Sequence, residues 1–253
     1  MWELYDALID GIPRELSVEE MANNGGVSYV RSGEGVGIGM AFNVDTRPPM
    51  ITEDLLGQPL YKVAECIKSW NLNEATVGHA AINAYYNSIQ TAAENGISVS
   101  KNRYAEDRLN DPFISYQNMI RGKAVGVIGH FHYLEKLFAP VCKLFIFGRE
   151  VYPGDYPESA AEYLLPGCDY VFIASSSMSE KTMPRYLELA KNAYVVIVGP
   201  STTMAPVLSE FGVNDLSGFI VKDNVLAHKI VSASRRGKIY TSGQKVSLKT
   251  VNK

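Results

Sequence analysis

The sequence predicts an α/β protein in two parts: an N-terminal α+β region over residues 1–110 and a doubly wound parallel sheet over residues 111–253. Three observations predict it. From Lys123 onward, short Val/Ile/Phe-rich runs alternate with helical segments, a rhythm that demands parallel strands joined by right-handed crossovers. Before that, two β-rich runs, VSYVRSG and VGIGMAF, stand either side of a Ser-Gly-Glu-Gly turn and read as a hairpin. The composition, 46% hydrophobic and 20% charged over 253 residues, is that of a globular chain long enough to bury a sizeable core.

The N-terminal region opens on a helix around Trp2 to Asp10, closed by Gly11 and Pro13. Ser17 followed by Glu20 has the spacing of a capping box and predicts a short helical piece. Gly25-Gly26 then leads into the hairpin. Glycines at 33, 35, 37 and 39 thin out side chains along its second strand. Either a helix packs closely there or the backbone is left open to a ligand, and an exposed edge could also pair with another copy. Pro59 belongs to the first turn of LYKVAECIKSW, whose Leu60, Val63, Ala64 and Ile67 keep helical spacing. A second helix runs from about Asn73 to Glu94. Its Ala80, Ala81 and Ala84 let a neighbour approach closely, with Asn83 on or beside that face. Residues 98–110 read as a polar surface loop. Asp111-Pro112 is an N-cap followed by a first-turn proline, so DPFISYQNMIRG predicts a helix ending at Gly122, and the domain boundary falls here.

Five strands follow: KAVGVIG, KLFIFGRE, DYVFIASSS, AYVVIVGPS and, last, SGFIVKD. The helices between them are HYLEKLFAPV, ESAAEYLLPG, MPRYLELAKN and APVLSEFG. Ligands of such sheets bind beyond the carboxyl ends of the strands, where strand order reverses. That rule selects Gly129-His130-Phe131, Gly148-Arg149-Glu150, Ser175-Ser176-Ser177 with Glu180, Lys181 and Thr182, and Gly199-Pro200-Ser201-Thr202-Thr203. The first loop lacks a third glycine, so the full dinucleotide fingerprint is missing. Glu150 stands about 20 residues after Gly129, where related folds place an acid that accepts hydrogen bonds from a ribose diol. His130 is the candidate acid, base or metal ligand, and His132 reads as a solvent-facing residue of the first helical turn. His79 and His228 have no acidic or thiol company in sequence and read as structural. The hydroxyl-rich loops SSSMSEKT and GPSTTMAP would cradle an anion or the polar edge of a heterocycle, or serve as ordinary N-caps. No serine lies in a G-x-S-x-G elbow, which removes support for a hydrolase triad.

Other classes are disfavoured by composition. The formal charge of −3 gives no overall field favouring nucleic acid or an acidic membrane. No run approaches the roughly 20 apolar residues of a membrane span, and the N-terminus carries acids rather than a basic-then-apolar signal, so the chain reads as cytoplasmic. Cys66, Cys142 and Cys168 are odd in number, without a CxxC pair, and each lies in or beside an apolar run. They read as buried structural thiols.

GPSTTMAP, taken with VGVIGHF and the small-residue helix GHAAINA, resembles the heavy-metal chelation family, long catalogued as a domain of unknown function. The resemblance covers both halves. It implies an N-terminal domain resembling the enolase N-terminal fold, a Rossmann-like C-terminal domain, and an interdomain site. It also implies a role in metal chelation or in making a pterin-, flavin- or siderophore-like molecule. By position it marks Asn83, Gly129, Phe131, Glu150, Gly199, Pro200, Ser201 and Thr202 as site lining. Two places depart from the pattern: His79 stands where an apolar residue is expected, and SSSMSEKTM replaces a threonine-rich stretch with an asparagine before Thr182.

Three readings follow. The first is an enzyme acting on a nucleotide-like or other heterocyclic small molecule. Phe131 would stack on the ring, Glu150 hold a diol or ring N–H, the 199–203 loop hold an anion, and Asn83 reach in from the other domain. The second is a non-catalytic binder of a metal or metal chelate, with His130, Glu150 and a donor from the N-terminal region as ligands. The third is an S-adenosylmethionine-dependent methyltransferase, a reading that an antiparallel last hairpin would raise. A metal ion or a nucleotide-like molecule is the cofactor these readings admit, and a homo-oligomer is compatible with all three.

Overall fold

The computed structural model describes residues 2–42, 46–49, 51, 53–100, 110–131 and 133–250; His132 lies outside them. The opening helix α1 spans Glu3–Asp10 and buries Leu4, Tyr5, Leu8 and Ile9 on one side. The capping-box expectation at Ser17 fails. Ser17 instead bridges to Pro59, and Glu20–Asn23 forms strand β1, antiparallel to β2 (Val27–Ser32). The Glu20 carboxylate accepts hydrogen bonds from Tyr29 Oη and Arg31 Nε, each at 3.1 Å, so cross-strand pairing of polar side chains outweighs the helical option. Strand β3 (Gly35–Met40) completes the expected hairpin, with Gly33 at φ +55° in the turn.

The glycine-rich strand has its explanation in helix packing. Helix α2 (Leu60–Ala64) leads through a 3-10 turn to α3 (Leu72–Tyr86), which lies across β3. A Cβ built on Gly37 would sit 1.9 Å from the Ala80 carbonyl oxygen, and one on Gly39 would sit 1.9 Å from that of Thr76. The backbone of β3 is thus covered by α3 rather than left open to a ligand. The long helix expected from Asn73 to Glu94 is broken at Asn87. Ser88 caps a separate helix, Ile89–Glu94, by accepting from the Thr91 N–H at 3.1 Å.

Beyond Asp111, whose carboxylate caps Phe113 N–H at 3.1 Å, only Pro112–Ser115 is helical; the rest of that segment turns to Gly122 at φ +71°. The sheet is built from β4 (Ala124–Ile128), β5 (Lys143–Gly148), β6 (Tyr156–Pro157), β7 (Tyr170–Ala174), β8 (Tyr194–Val198), β9 (Asp215–Val221) and β10 (Gly243–Lys249). Their order is β10-β9-β8-β7-β4-β5-β6, and every neighbouring pair is parallel except β9 with β10. The chain therefore does not end on the parallel strand at SGFIVKD. A helix (Asn224–Ser232) and an antiparallel edge strand follow it.

Alternation along the strands builds two cores. Val125, Val127, Ile146, Phe172 and Val196 face Phe113, Tyr116, Leu134 and Phe138. On the other face Ile128, Phe147, Val171, Ile173 and Ile197 meet Leu165, Met183, Tyr186 and the N-terminal helices. Strand order reverses between β4 and β7, because β5 continues to one side of β4 and β8 to the far side of β7. That reversal positions the site. No helix among the described residues is long and apolar enough to cross a membrane.

Candidate functional site

Where β4 and β7 part, their following loops leave toward opposite faces and a crevice opens at the strand ends. The structure has a cavity of about 150 Å³ there. Gly129, at φ +100°, turns the chain away from β4, and Gly148 ends β5 where a Cβ would come within 2.7 Å of the Glu150 carbonyl. Of the residues expected from sequence, Gly129, His130, Gly148, Arg149, Glu150, Ser176, Ser177, Glu180 and Thr182 line this cavity.

His130 is held from behind. Its Nδ1 lies 2.9 Å from Asp155 Oδ2, which also accepts the Tyr152 N–H at 3.3 Å, and its ring stacks on Tyr152 at a centroid distance of 4.1 Å. The Asp155 side chain is fully buried, and its Oδ1 has no hydrogen-bond partner. A carboxylate accepts, so the Nδ1 proton points at Asp155 and Nε2 becomes the basic nitrogen of the neutral ring.

The opposite wall carries charge. Arg149 lies between two carboxylates, Nε 3.6 Å from Glu158 Oε2 and Nη2 3.8 Å from Glu180 Oε2, with its guanidinium carbon 5.0 Å from the Phe42 ring centroid. Glu180 is fixed by the Phe42 N–H, which donates to its Oε1 at 3.1 Å. Burial pushes the Glu180 carboxyl above its usual range, against the opposing pull of Arg149, the Phe42 N–H and Ser176. Glu158 in turn accepts from Tyr186 Oη at 2.5 Å. Phe42 lies two residues beyond the end of β3, so the N-terminal part contributes a wall of the cavity. Sequence reasoning missed Phe42, Tyr152, Asp155, Glu158 and Tyr186. Only Gly154-Asp155 carried a signal, as a turn shortly after the second strand.

The remaining expected residues lie elsewhere. Phe131, Gly199 and Pro200 line a separate crevice of about 370 Å³ with Phe113, Tyr133 and Tyr240, and Phe131 packs on Phe113 at 4.9 Å. Asn83, Ser201 and Thr202 are wholly buried (0% exposed) between the two halves of the chain. Asn83 Nδ2 donates to the carbonyls of Ile38 at 2.8 Å and Ser201 at 2.9 Å, while its Oδ1 accepts from Thr203 Oγ1 at 2.6 Å. Asn87 grips the same segment through Thr202 O and the Met204 N–H, at 2.8 and 2.9 Å. Ser175 Oγ meets Ser201 Oγ at 2.8 Å. The run of hydroxyls that resembled an anion cradle is thus engaged within the protein: Thr203 Oγ1 bonds to Asn83 of α3, Ser201 Oγ to Ser175, and Thr202 Oγ1 donates to the Ser217 carbonyl at 3.1 Å.

A family profile described as "Putative heavy-metal chelation" matches residues 111–250, and a second profile of the same description matches residues 5–86. The chain belongs to the heavy-metal chelation family. A solved protein of unknown function from the DUF364 family of Desulfitobacterium hafniense is 50% identical over 98% of both chains, with a TM-score of 0.91. A second, from Pyrococcus horikoshii, shares the fold at 19% identity and a TM-score of 0.76, over 97% of this chain and 98% of its own. No curated protein matches.

Membership in the heavy-metal chelation family makes the donor set worth testing. Among the described residues no group of three or more His, Cys, Asp or Glu side chains could hold a metal ion. Burial also pushes the thiols up, Cys66 to about 12 and Cys142 and Cys168 to about 11, which withholds the thiolates that a soft metal needs. These residues do not fit a bare heavy-metal ion. Titration with Zn²⁺, Ni²⁺ or Co²⁺ near neutral pH is therefore expected to show no binding tighter than about micromolar. A micromolar or tighter isotherm in calorimetry would overturn that expectation.

Proposed function

We propose that the protein binds a ring-sized organic ligand in the crevice between β4 and β7, and that His130 exchanges a proton with it. The supporting observation is the cavity with the His130–Asp155 pair on its wall. At about 150 Å³ it matches the size of an engineered cavity that admits a single benzene ring. One ring of a pterin-, flavin-, nucleotide- or siderophore-like molecule fits this volume, and a whole dinucleotide does not. Glu150, at the rim, takes hydrogen bonds from the ligand's polar edge. His130 Nε2 serves as base or, once protonated, as acid, while Asp155 keeps the tautomer and ring orientation. The link to heavy metals then runs through an organic chelator, bound free or as its metal complex, rather than through a bare ion.

A non-catalytic chelate-binding protein is the second reading, favoured by the family description and by a donor set too sparse for an ion alone. The last strand, β10, is antiparallel to β9 but joined to it through a helix rather than as a hairpin, which gives the methyltransferase reading little added support. A nucleoside and an amino acid together would extend well beyond the ring-sized cavity, so that reading stays third.

Calorimetry against a panel of pterin, flavin and adenosyl compounds tests the proposal, with Glu150→Ala as the probe of the site. The substitution is expected to weaken binding by about 1–3 kcal/mol, the effect of removing one partner of a hydrogen bond shielded by the ligand, and to leave the melting temperature nearly unchanged. A large fall in melting temperature with unaltered affinity would make Glu150 structural. Failure of the whole panel to bind or react would remove the proposal.

A further inference from the structure

The charge on the cavity wall narrows the ligand class. Among the described residues lining it, Arg149 is the sole arginine or lysine, against the carboxylates Glu150, Glu158 and Glu180. His130 is already committed to Asp155. An anionic ligand would have to enter among three acids, and the most buried of them, Glu180, cannot swing aside. Its side chain is 6% exposed, and the Phe42 N–H holds its Oε1. Arg149 is different. It is 37% exposed, and at 3.6 and 3.8 Å it stands outside the roughly 2.7–2.9 Å of a charge-assisted hydrogen bond to either acid. One planar cation is shared loosely by two carboxylates and lies over an aromatic ring.

We propose that Phe42, Glu158 and Glu180 form a subsite for a planar, delocalised cation on the ligand, an amidine, a guanidine or a protonated 2-amino heterocycle, and that Arg149 occupies this subsite until the ligand displaces it. The inference rests on the ring-sized cavity being the binding site. The aromatic face and the two carboxylates suit such a group because its N–H donors lie in one plane while its charge spreads over the π system. Glu180, prearranged by a backbone N–H of the N-terminal part, is the fixed acceptor; Glu158, steadied by Tyr186, is the second. Arg149 then acts as an internal competitor. Its side chain keeps the acids compensated while the cavity is empty and can move toward solvent on binding, since it is already partly exposed.

Benzamidine and benzoate test this directly, because they share a ring of the right size and carry opposite charges. Both are titrated by calorimetry into the wild-type protein, Arg149→Ala and Glu180→Gln, with melting curves confirming that each variant folds. Should Glu180→Gln not fold, Glu158→Gln, at a more exposed position, takes its place. Benzamidine is expected to bind the wild type weakly, to bind Arg149→Ala at least about tenfold more tightly, and to lose at least about tenfold in the carboxylate variant, whereas benzoate binds none of them. Benzoate binding that disappears in Arg149→Ala would make Arg149 an anion clamp, overturning the cation subsite while leaving the cavity as a binding site. Benzamidine affinity unchanged by both substitutions would also overturn it. Binding of neither probe to any form would remove the subsite and the ring-sized site together.

Discussion

Gly37→Ala is expected to destabilise the protein by about 3 kcal/mol or more, because the added methyl has nowhere to go. Its Cβ would lie 1.9 Å from Ala80 O, 2.3 Å from Ala84 N and 2.6 Å from Asn83 C, all backbone atoms of α3. A flexible side chain could move aside from such a contact, but a helix backbone moves only as a whole. The same helix carries Asn83 and is capped by Asn87, whose amides hold the 201–204 segment, so lifting α3 off β3 also strains the junction between the two halves. Gly167→Ala is the control. Nothing lies within 4 Å of the Cβ it would add, and its effect should stay within about 0.5 kcal/mol. Urea unfolding of the two variants against the wild type measures both. A Gly37→Ala midpoint equal to the wild type's would mean that α3 is not seated on β3 as described.

This contact also marks the limit of what the sequence disclosed. Four glycines in alternation announced that something approaches the strand, yet a helix and a ligand require the same bare backbone, and only the seating of α3 distinguishes them. Strands β4, β5, β7, β8 and β9 were legible because strands buried on both faces are almost continuously apolar. Strands β1 and β10 were not. Glu20–Asn23 and Gly243–Lys249 are polar edge segments whose pairing is set by cross-strand partners far along the chain, such as Arg31 and Phe219. The site shows the same division. Strand-end residues Gly129, His130 and Glu150 follow from topology, because the switch-point rule depends only on strand order. The partners that give them chemistry, Asp155 behind His130 and Phe42 over Arg149, are separated from them by 25 and 107 residues and carry no motif. Hydroxyl-rich loops misled for a physical reason: the hydroxyls of Ser201, Thr202 and Thr203 find buried partners in Ser175, the Ser217 carbonyl and Asn83 as readily as they would bind an anion.

That buried junction ties the shape of the cavity to the integrity of the whole molecule. Phe42 reaches the cavity only because β3 is held beneath α3, and α3 is held by the loop after β8. A ligand that draws Phe42 and Glu180 together would therefore stabilise the contact between the two halves as well as the site, in proportion to its occupancy.

The same junction is expected to weaken in acid through His79. This histidine is 0% exposed on α3, with Nδ1 2.9 Å from Ser179 Oγ and Nε2 3.3 Å from Thr203 Oγ1. Burial depresses its pKa to about 3, helped by the nearby Lys181 charge and opposed by a backbone hydrogen bond with Ser201. In the unfolded chain the ring titrates near its ordinary value of 6.5. Between these two values the unfolded state binds a proton that the folded state refuses, so stability must rise with pH there. The contribution is complete above pH 6.5 and falls by about 1.4 kcal/mol per pH unit as the solution is acidified toward pH 3. By pH 4.5 the loss amounts to about 3 kcal/mol, a large share of an ordinary domain's stability. Carboxylates that titrate in the same range contribute equally to wild type and variant, so the difference between wild type and His79→Gln isolates the histidine. Stability from urea unfolding at pH 7, 5.5 and 4.5 should show the wild type losing the steeper slope by about one proton's worth, with His79→Gln flatter. Parallel slopes would mean that the ring is protonated in the folded protein, and that His79 contributes a charge to the junction instead of two neutral hydrogen bonds.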